Sequence, residues 1–377
     1  MLASTSLARQ CRALAAVTSP ASAVPRDDEP AETEEPVAAA DDAAVMHHFV
    51  VGTADIKSDN EIIALEMDPE RRSIQISPNP IAHAREIWTL SAKGTAIVAA
   101  WGTPSGRGLS LSDQGLVVQE DVEGGQGARV AVWDGMGTRV AVVHDDGAAS
   151  MFGVTESALA RDVYFERAGS RDVGLDVAWD PHNAQVFMTA QGSHARFYDA
   201  RAPSKAVLEF AAVNGGKVRS VDVNPNRSHA CLAAGDDGAL RFYDMKKLGD
   251  GPVQELFGGH THWITCARYN PFHDQLVVTA STDGVVCLWR AASVSSAPLV
   301  DFDMEDEEDG HVREQKDSNQ DMLVKSFAEH HESVYGLAWS AVEAWTFASL
   351  SFDGKVIVNN VPSVEKYKVG TFLRWWG

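Results

Sequence analysis

The chain has 377 residues, with 53 acidic side chains against 32 basic ones and a formal net charge of −21. A surface of that sign repels phosphate backbones and anionic lipid, which excludes nucleic acid as the main partner and points to protein. No apolar run approaches the roughly 18 residues that a membrane-spanning helix needs, so no direct insertion is expected; the four cysteines (Cys11, Cys231, Cys266, Cys287) show no CxxC spacing, as fits a reducing compartment.

Residues 1–26 carry Arg9, Arg12 and Arg26 and no acid before Asp27. That composition fits an organellar targeting segment and equally a first strand over residues 7–14, and both readings stand. Residues 18–45, rich in Asp, Glu, Pro and Ala, hold too little apolar surface to order themselves and are expected to form a disordered acidic loop. From His48 the alternation is that of strands: FVVGTAD, EIIALEMD and RRSIQI complete a first unit. Residues 86–90 and 96–101 open a second, whose Gly- and Ser-rich continuation over 103–127 reads as irregular. Third, fourth and fifth units follow, with ARVAVWD and TRVAVVHDDG, then VGLDVAWD and ARFYD, then VRSVDVNP and ALRFYD. After a sixth unit ending at Trp289, residues 301–309 hold seven acids in nine positions. A seventh unit starts at His330, and the chain closes on KVGTFLRWWG, where Trp375 and Trp376 have no evident place in the strand pattern.

The sixth unit, residues 258–290, is the clearest copy: Gly259-His260, an apolar run, a turn at Pro271, a strand, a Thr-Asp-Gly turn and a last strand. Equivalent turn positions fall at Gly147, Ser193, Gly238, Gly284 and Gly354, separated by 46, 45, 46 and 70 residues. Such a period, with an aromatic residue six places after the turn aspartate, resembles the WD40 repeat, in which each copy builds one four-stranded propeller blade. The resemblance implies an all-β, seven-bladed WD40 β-propeller formed by residues 1–377 as one domain. Seven blades need about 300 residues, whereas eight need about 344 and leave too little chain for the acidic segments. The long last step is one repeat plus an insertion, expected at 295–325 between blades six and seven. From the same resemblance, His260, Ser281, Asp283 and Trp289 are expected to form a buried hydrogen-bond set that supports the blade. Asp283 would accept from His260 and turn N–H groups, and Ser281 would link His260 to the indole of Trp289. Other copies diverge, with Phe152, Tyr243 and Asn359 in the aromatic place and Gly192 where an aspartate is expected before Tyr198.

Several segments together are similar to a narrower family, that of the EARP and GARP complex-interacting protein, also described as a tumour-suppressing subtransferable candidate. They are FVVGTADIKSDNEI, REIWTLSA, VRSVDVNPN, RYNPFHDQLVVTASTDG, the acidic insertion, and EHHESVYGLAWS with FASLSFDGKVIVNNVP. A short Leu, Gln, Arg, Leu pattern at Leu7, Gln10, Arg12 and Leu14 matches as well, which favours the strand reading there. This resemblance implies a non-enzymatic adaptor without a cofactor, cytoplasmic and peripheral to endosomes and the trans-Golgi network. Its partners would be the multisubunit tethering complexes there, in support of endosomal recycling and retrograde sorting, and the protein would be monomeric outside the complex.

Other motifs carry two readings each. Phe197-Tyr198-Asp199-Ala200-Arg201 resembles the aromatic-Asp-x-Arg box of WD40 substrate receptors for cullin-RING ubiquitin ligases, which makes Tyr198, Asp199 and Arg201 candidate contacts to the ligase adaptor; the plainer reading is a strand end. Asp301, Asp303, Glu305, Asp306, Glu307, Glu308 and Asp309 could meet a basic partner or form a solvated spacer. They do not make a calcium loop, because Asp306 and Val312 stand where an EF-hand needs Gly and Glu. The pairs His47-His48, His260-His262 and His330-His331 invite a metal, but His260 and His330 hold the structural blade position and the others are expected in loops. No strand-turn-helix setting supports a P-loop, a Rossmann fingerprint or a nucleophile elbow.

Overall fold

Short strands of alternating apolar and polar residues, each stopped by a turn carrying Gly, Asp or Asn, cannot bury their faces singly and must stack. The computed structural model describes residues 1–7, 9–17, 46–56, 59–103, 106–113, 116–119, 121–155, 158–167, 172–296 and 320–371. These residues form seven antiparallel sheets. Ahead of the first blade lies β1 (Ala3–Ser6). Blade one holds β2 (Cys11–Ala16), β3 (His47–Thr53), β4 (Asn60–Asp68) and β5 (Ser73–Ile76), with β6 (Ile81–His83) also on β4. Blade two holds β7 (Glu86–Lys93), β8 (Ala96–Thr103), β9 (Gly106–Asp113) and β10 (Leu116–Gln119). Blade three is β11 (Ala128–Trp133), β12 (Arg139–His144), β13 (Ala149–Thr155) and β14 (Ala158–Phe165), and blade four is β15 (Gly174–Trp179), β16 (Val186–Gln191), β17 (His194–Asp199) and β18 (Leu208–Ala211). Blade five takes β19 (Val218–Val223), β20 (Ala230–Gly235), β21 (Leu240–Asp244) and β22 (Gln254–Leu256); blade six takes β23 (Ile264–Tyr269), β24 (Leu276–Ser281), β25 (Val286–Arg290) and β26 (Met322–Phe327).

Blade seven has three strands from the end of the chain, β27 (Val334–Trp339), β28 (Thr346–Ser351) and β29 (Lys355–Asn360), and one from its beginning. There β1 pairs with β29, from Ala3 opposite Val358 to Ser6 opposite Lys355. β29 is therefore covered, the outer edge of the last blade is the short β1, and the ring is closed by the chain's first strand. The innermost strands β2, β7, β11, β15, β19, β23 and β27 contact one another in that order and back to β2 around a central channel. The described residues form no single core. Seven apolar clusters lie instead at the seams, as between blades six and seven, where Leu276, Val278 and Leu288 meet Val334, Trp339 and Phe347. Helix α1 (Ser363–Thr371) covers that same seam with Val369, and its Glu365 forms an ion pair with the buried Arg290 at 3.2 Å.

The expected seven blades are present, with four corrections of detail. Residues 7–14 are not one strand: Leu7 and Gln10 fall in the connection between β1 and β2, and Arg12 and Leu14 lie on β2. Residues 103–127 are not irregular throughout, because β9 and most of its apolar face (Leu109, Leu111) build the blade two–three seam. The insertion expected between blades six and seven falls inside blade six, since Met322–Phe327 pairs with β25. His47 and His48 are not in a loop but open β3, where the His47 Nδ1 lies 2.8 Å from the Ser340 hydroxyl. Segments 18–45 and 297–319, with the acids 301–309, and the terminal Trp375 and Trp376 lie outside the described residues.

Candidate functional site at the mouth of the central channel

The blade-six hydrogen-bond set shows how that blade is held before it presents anything. His260 Nδ1–H donates to Asp283 Oδ2 at 3.3 Å, and Asp283 also accepts the Thr261 and Val285 N–H groups at 2.9 Å each. The link from His260 to Trp289 is Thr279, not Ser281: its hydroxyl donates to His260 Nε2 at 2.7 Å and accepts the Trp289 indole N–H at 2.8 Å. Ser281 accepts the Asp283 N–H at 3.1 Å and belongs to the turn. Residues 279 and 281 are two apart on β24 and so share a face, which is why the strand pattern alone could not separate them. Blade seven repeats the arrangement, with His330 Nε2 at 2.8 Å from Ser349 and Nδ1 at 2.9 Å from Ser351. Burial lowers the basicity of His260 against the opposing field of Asp283, and it pulls His330 down to about 4. The turn needs Gly284, whose φ of +77° is left-handed and whose missing Cβ would meet the His330 carbonyl at 3.2 Å.

Of the ligase-box residues, Tyr198 is fully buried, stacked on Phe187 with ring centroids 5.4 Å apart, and its hydroxyl meets Gln191. It supports the blade three–four seam and has no surface to offer. Asp199 and the exposed Arg201 pair with each other at 2.6 Å where β17 ends.

A concave surface of another kind lies where the inner strands begin. All seven inner strands carry a β-bulge near their first residues, between Cys11 and Ala13, Ile87 and Thr89, Ala128 and Val130, and at the matching place in the other four. A bulged residue drops out of the ladder and its side chain is re-aimed. The residues so released are Arg12, Trp88 and Arg129 on blades one to three, then Leu175, Arg219, Thr265 and Tyr335 on blades four to seven, and all of them line one cavity at the channel mouth. Arg12 stacks over Trp88 at 4.3 Å and over Tyr335 at 4.8 Å; Arg107, from β9, covers Trp88 at 4.4 Å. The indole is fitted tightly, since a Cβ on Gly102 would meet its Nε1 at 2.7 Å. Arg219 lies over the exposed Trp263 at 4.0 Å and pairs with Asp236. Asp145 is shared by Arg107 at 2.5 Å and Arg129 at 3.3 Å.

Deeper along the same inner strands, Asp176 and Arg268 line the cavity as a two-pronged ion pair at 2.8 and 2.9 Å, with the Ser220 hydroxyl donating to Asp176 at 2.7 Å. The ring is basic, aromatic and half-buried, whereas the deeper pair is neutralised. Sequence reading named Arg12 only as part of a strand pattern and proposed none of the ring residues as a site. A signal existed: Arg129, Leu175, Arg219 and Thr265 recur at intervals of 46, 44 and 46 residues, one place inside each inner strand. What the pattern lacks is the bulge, without which these positions read as ordinary strand residues.

Seven blades of four strands, the first with an added fifth, closed by the first strand of the chain and carrying a His–Thr–Trp and His–Asp chain in blade six, define a WD40 β-propeller. The sequence profile of the family described as "EIPR1 beta-propeller" matches residues 36–289, and that of "WD domain, G-beta repeat" matches 322–359. The rat and human proteins described as "EARP and GARP complex-interacting protein 1" are each 32% identical, over 361 and 363 residues, spanning 85% of this chain and 92% of the relative. A Caenorhabditis elegans relative, "EARP-interacting protein 1", is 29% identical over 85% of this chain and 91% of its own length. The chain belongs to the EIPR1 β-propeller family.

Proposed function

We propose that this chain is a non-enzymatic adaptor that binds endosomal and trans-Golgi tethering complexes of the EARP and GARP type. It acts at the cytoplasmic side of those membranes, in endosomal recycling and retrograde sorting. The observation that carries the reading is coverage: relatives named for interaction with these complexes match over 92% of their own length and 85% of this chain, rather than over one repeat. The architecture suits the role, because a rigid ring offers preformed loops and a channel mouth to several partners with little ordering cost. Among the described residues no helix is long and apolar enough to cross a membrane, so attachment through partners is the simplest route. The test is affinity purification of the full chain from native cytosol followed by mass spectrometry. Co-purification of several subunits of one tethering complex is the expected result. Their absence from the eluate, with a cullin-ligase adaptor recovered and then lost on Arg201→Ala, would overturn it.

A further inference from the structure

The channel mouth gathers cations in a molecule that is otherwise strongly acidic. Arg12, Arg107, Arg129 and Arg219 surround Trp88 and Trp263, yet the carboxylates paired there among the described residues are Asp145, shared by two arginines, and Asp236. Arg12 forms no ion pair among the described residues and rests on aromatic rings alone. Burial lowers the basicity of its guanidinium, and the fields of Arg107 and Arg219 add to this against Tyr335 and Glu86. Such a group is stabilised by an arriving anion, and in a half-buried mouth the attraction is screened less than on an open surface.

The acidic segments of the chain leave from the other end of the channel. In each blade the inner strand starts at the mouth, so connections from first to second strand, and from third to fourth, lie at the far end. Residues 18–45, with eight acids against one arginine, join β2 to β3, and residues 297–319, with nine acids against two basic residues, join β25 to β26. The strand ends that flank both segments lie at the far end.

We propose that the mouth is the docking site for an acidic linear segment of a protein partner, with its carboxylates held by Arg12, Arg129 and Arg219 and its apolar side chains against Trp88, Leu175 and Tyr335. The mixture of chemistries favours a peptide over a phosphorylated headgroup. Guanidinium groups alternate around the ring with aromatic, aliphatic and hydroxyl side chains, which suits a ligand that also alternates charge and apolar surface. Arginine and large aromatics in a recessed pocket are the residue types that carry most binding energy at protein interfaces. The planar fork of Arg12 is free to take a carboxylate with two parallel bonds. This holds whichever complex the adaptor serves.

The test is a displayed library of random twelve-residue peptides selected on the folded full chain. The selected peptides are then synthesised with a fluorophore and titrated by anisotropy at low and physiological salt. Acidic peptides are expected to dominate, to weaken with salt, and to lose at least tenfold in affinity on Arg12→Gln. Arg12→Lys should be intermediate, and Arg71→Gln, at the far end between β4 and β5, without effect. Thermal melts of each variant separate lost binding from lost folding, and Arg219→Gln provides a second probe if Arg12→Gln melts early. Selection of no acidic peptide, or of acidic peptides indifferent to both arginines, overturns the proposal. So does binding of inositol hexakisphosphate or phosphoinositide vesicles at the mouth without peptide binding. A tenfold gain in peptide affinity on deleting 301–309 would make the chain's own segment the occupant and also overturn it.

Discussion

Thr279 is the residue through which blade six connects its outer and inner halves, because one hydroxyl serves both the Trp289 indole and the His260 ring. Thr279→Val keeps the shape and removes both bonds, leaving a buried donor and a buried acceptor unmatched, so it should cost about 1–3 kcal/mol in urea unfolding. Ser281→Ala removes only a turn contact and should cost less; the reverse order would mean that the chain runs through Ser281 after all. Asp283→Ala should lower stability comparably to Thr279→Val, since it strips acceptors from two backbone N–H groups and from His260. The histidines add a pH dependence. His330 has a pKa near 4 in the folded state, against about 6.5 when exposed, so between these values the unfolded chain takes up a proton that the folded one refuses. Stability from this residue is complete above pH 6.5 and is lost as pH falls towards 4, by roughly 3 kcal/mol. His144 and His260 are shifted in the same direction, also mainly by burial. Melting temperature measured from pH 7.5 to 4 should fall, and His330→Gln should flatten part of that fall; an equal slope in the variant would assign the effect elsewhere.

Among the elements, α1 was least visible in the sequence. Its nine residues carry one acid and three apolar side chains without a clear stripe, and only the structure shows Glu365 reaching the buried Arg290 and Val369 entering the seam. Glu365→Ala leaves a guanidinium buried without its countercharge, and a loss of about 3 kcal/mol is expected in denaturant unfolding. A loss under about 1 kcal/mol would show that the other contacts of Arg290, among them the Gln320 carbonyl that accepts from its Nε at 3.1 Å, suffice. The strands were far more legible. Blades four to seven follow an alternation of apolar and polar residues with Gly or Asp turns, and their second and third strands fall where that pattern puts them. The fourth strands were missed in several blades, because β10, β18 and β22 are only three or four residues long, too short to show a period. The mouth was missed for a related reason. Period and strand pattern locate Arg129 and Arg219, but the side-chain direction depends on a bulge that adds one residue and leaves no mark in composition.

At the scale of the whole molecule, stability is distributed over seven seams, so it depends on the ring being shut more than on any one cluster. Closure rests on β1, four residues that add a fourth strand to blade seven and bring Ala3 into the cluster shared by blades seven and one. The targeting reading of residues 1–26 meets a constraint here: Leu2 N–H donates to the Val358 carbonyl at 2.7 Å and Cys11 is fully buried, so the chain's start is part of the ring. Deleting residues 1–7 would leave β29 as an unpaired edge beside an uncovered apolar strip, and such edges recruit other chains. The expected outcome is a lower melting temperature together with concentration-dependent self-association in light scattering, while β2 still completes blade one. Truncation before Val334 goes further, removing the surfaces against which blades six and one both pack, and should abolish the cooperative transition. A shortened chain lacking 1–7 that stayed monomeric and melted as the intact protein does would place the closing interaction at the β2–β27 contact inside the channel rather than at the rim.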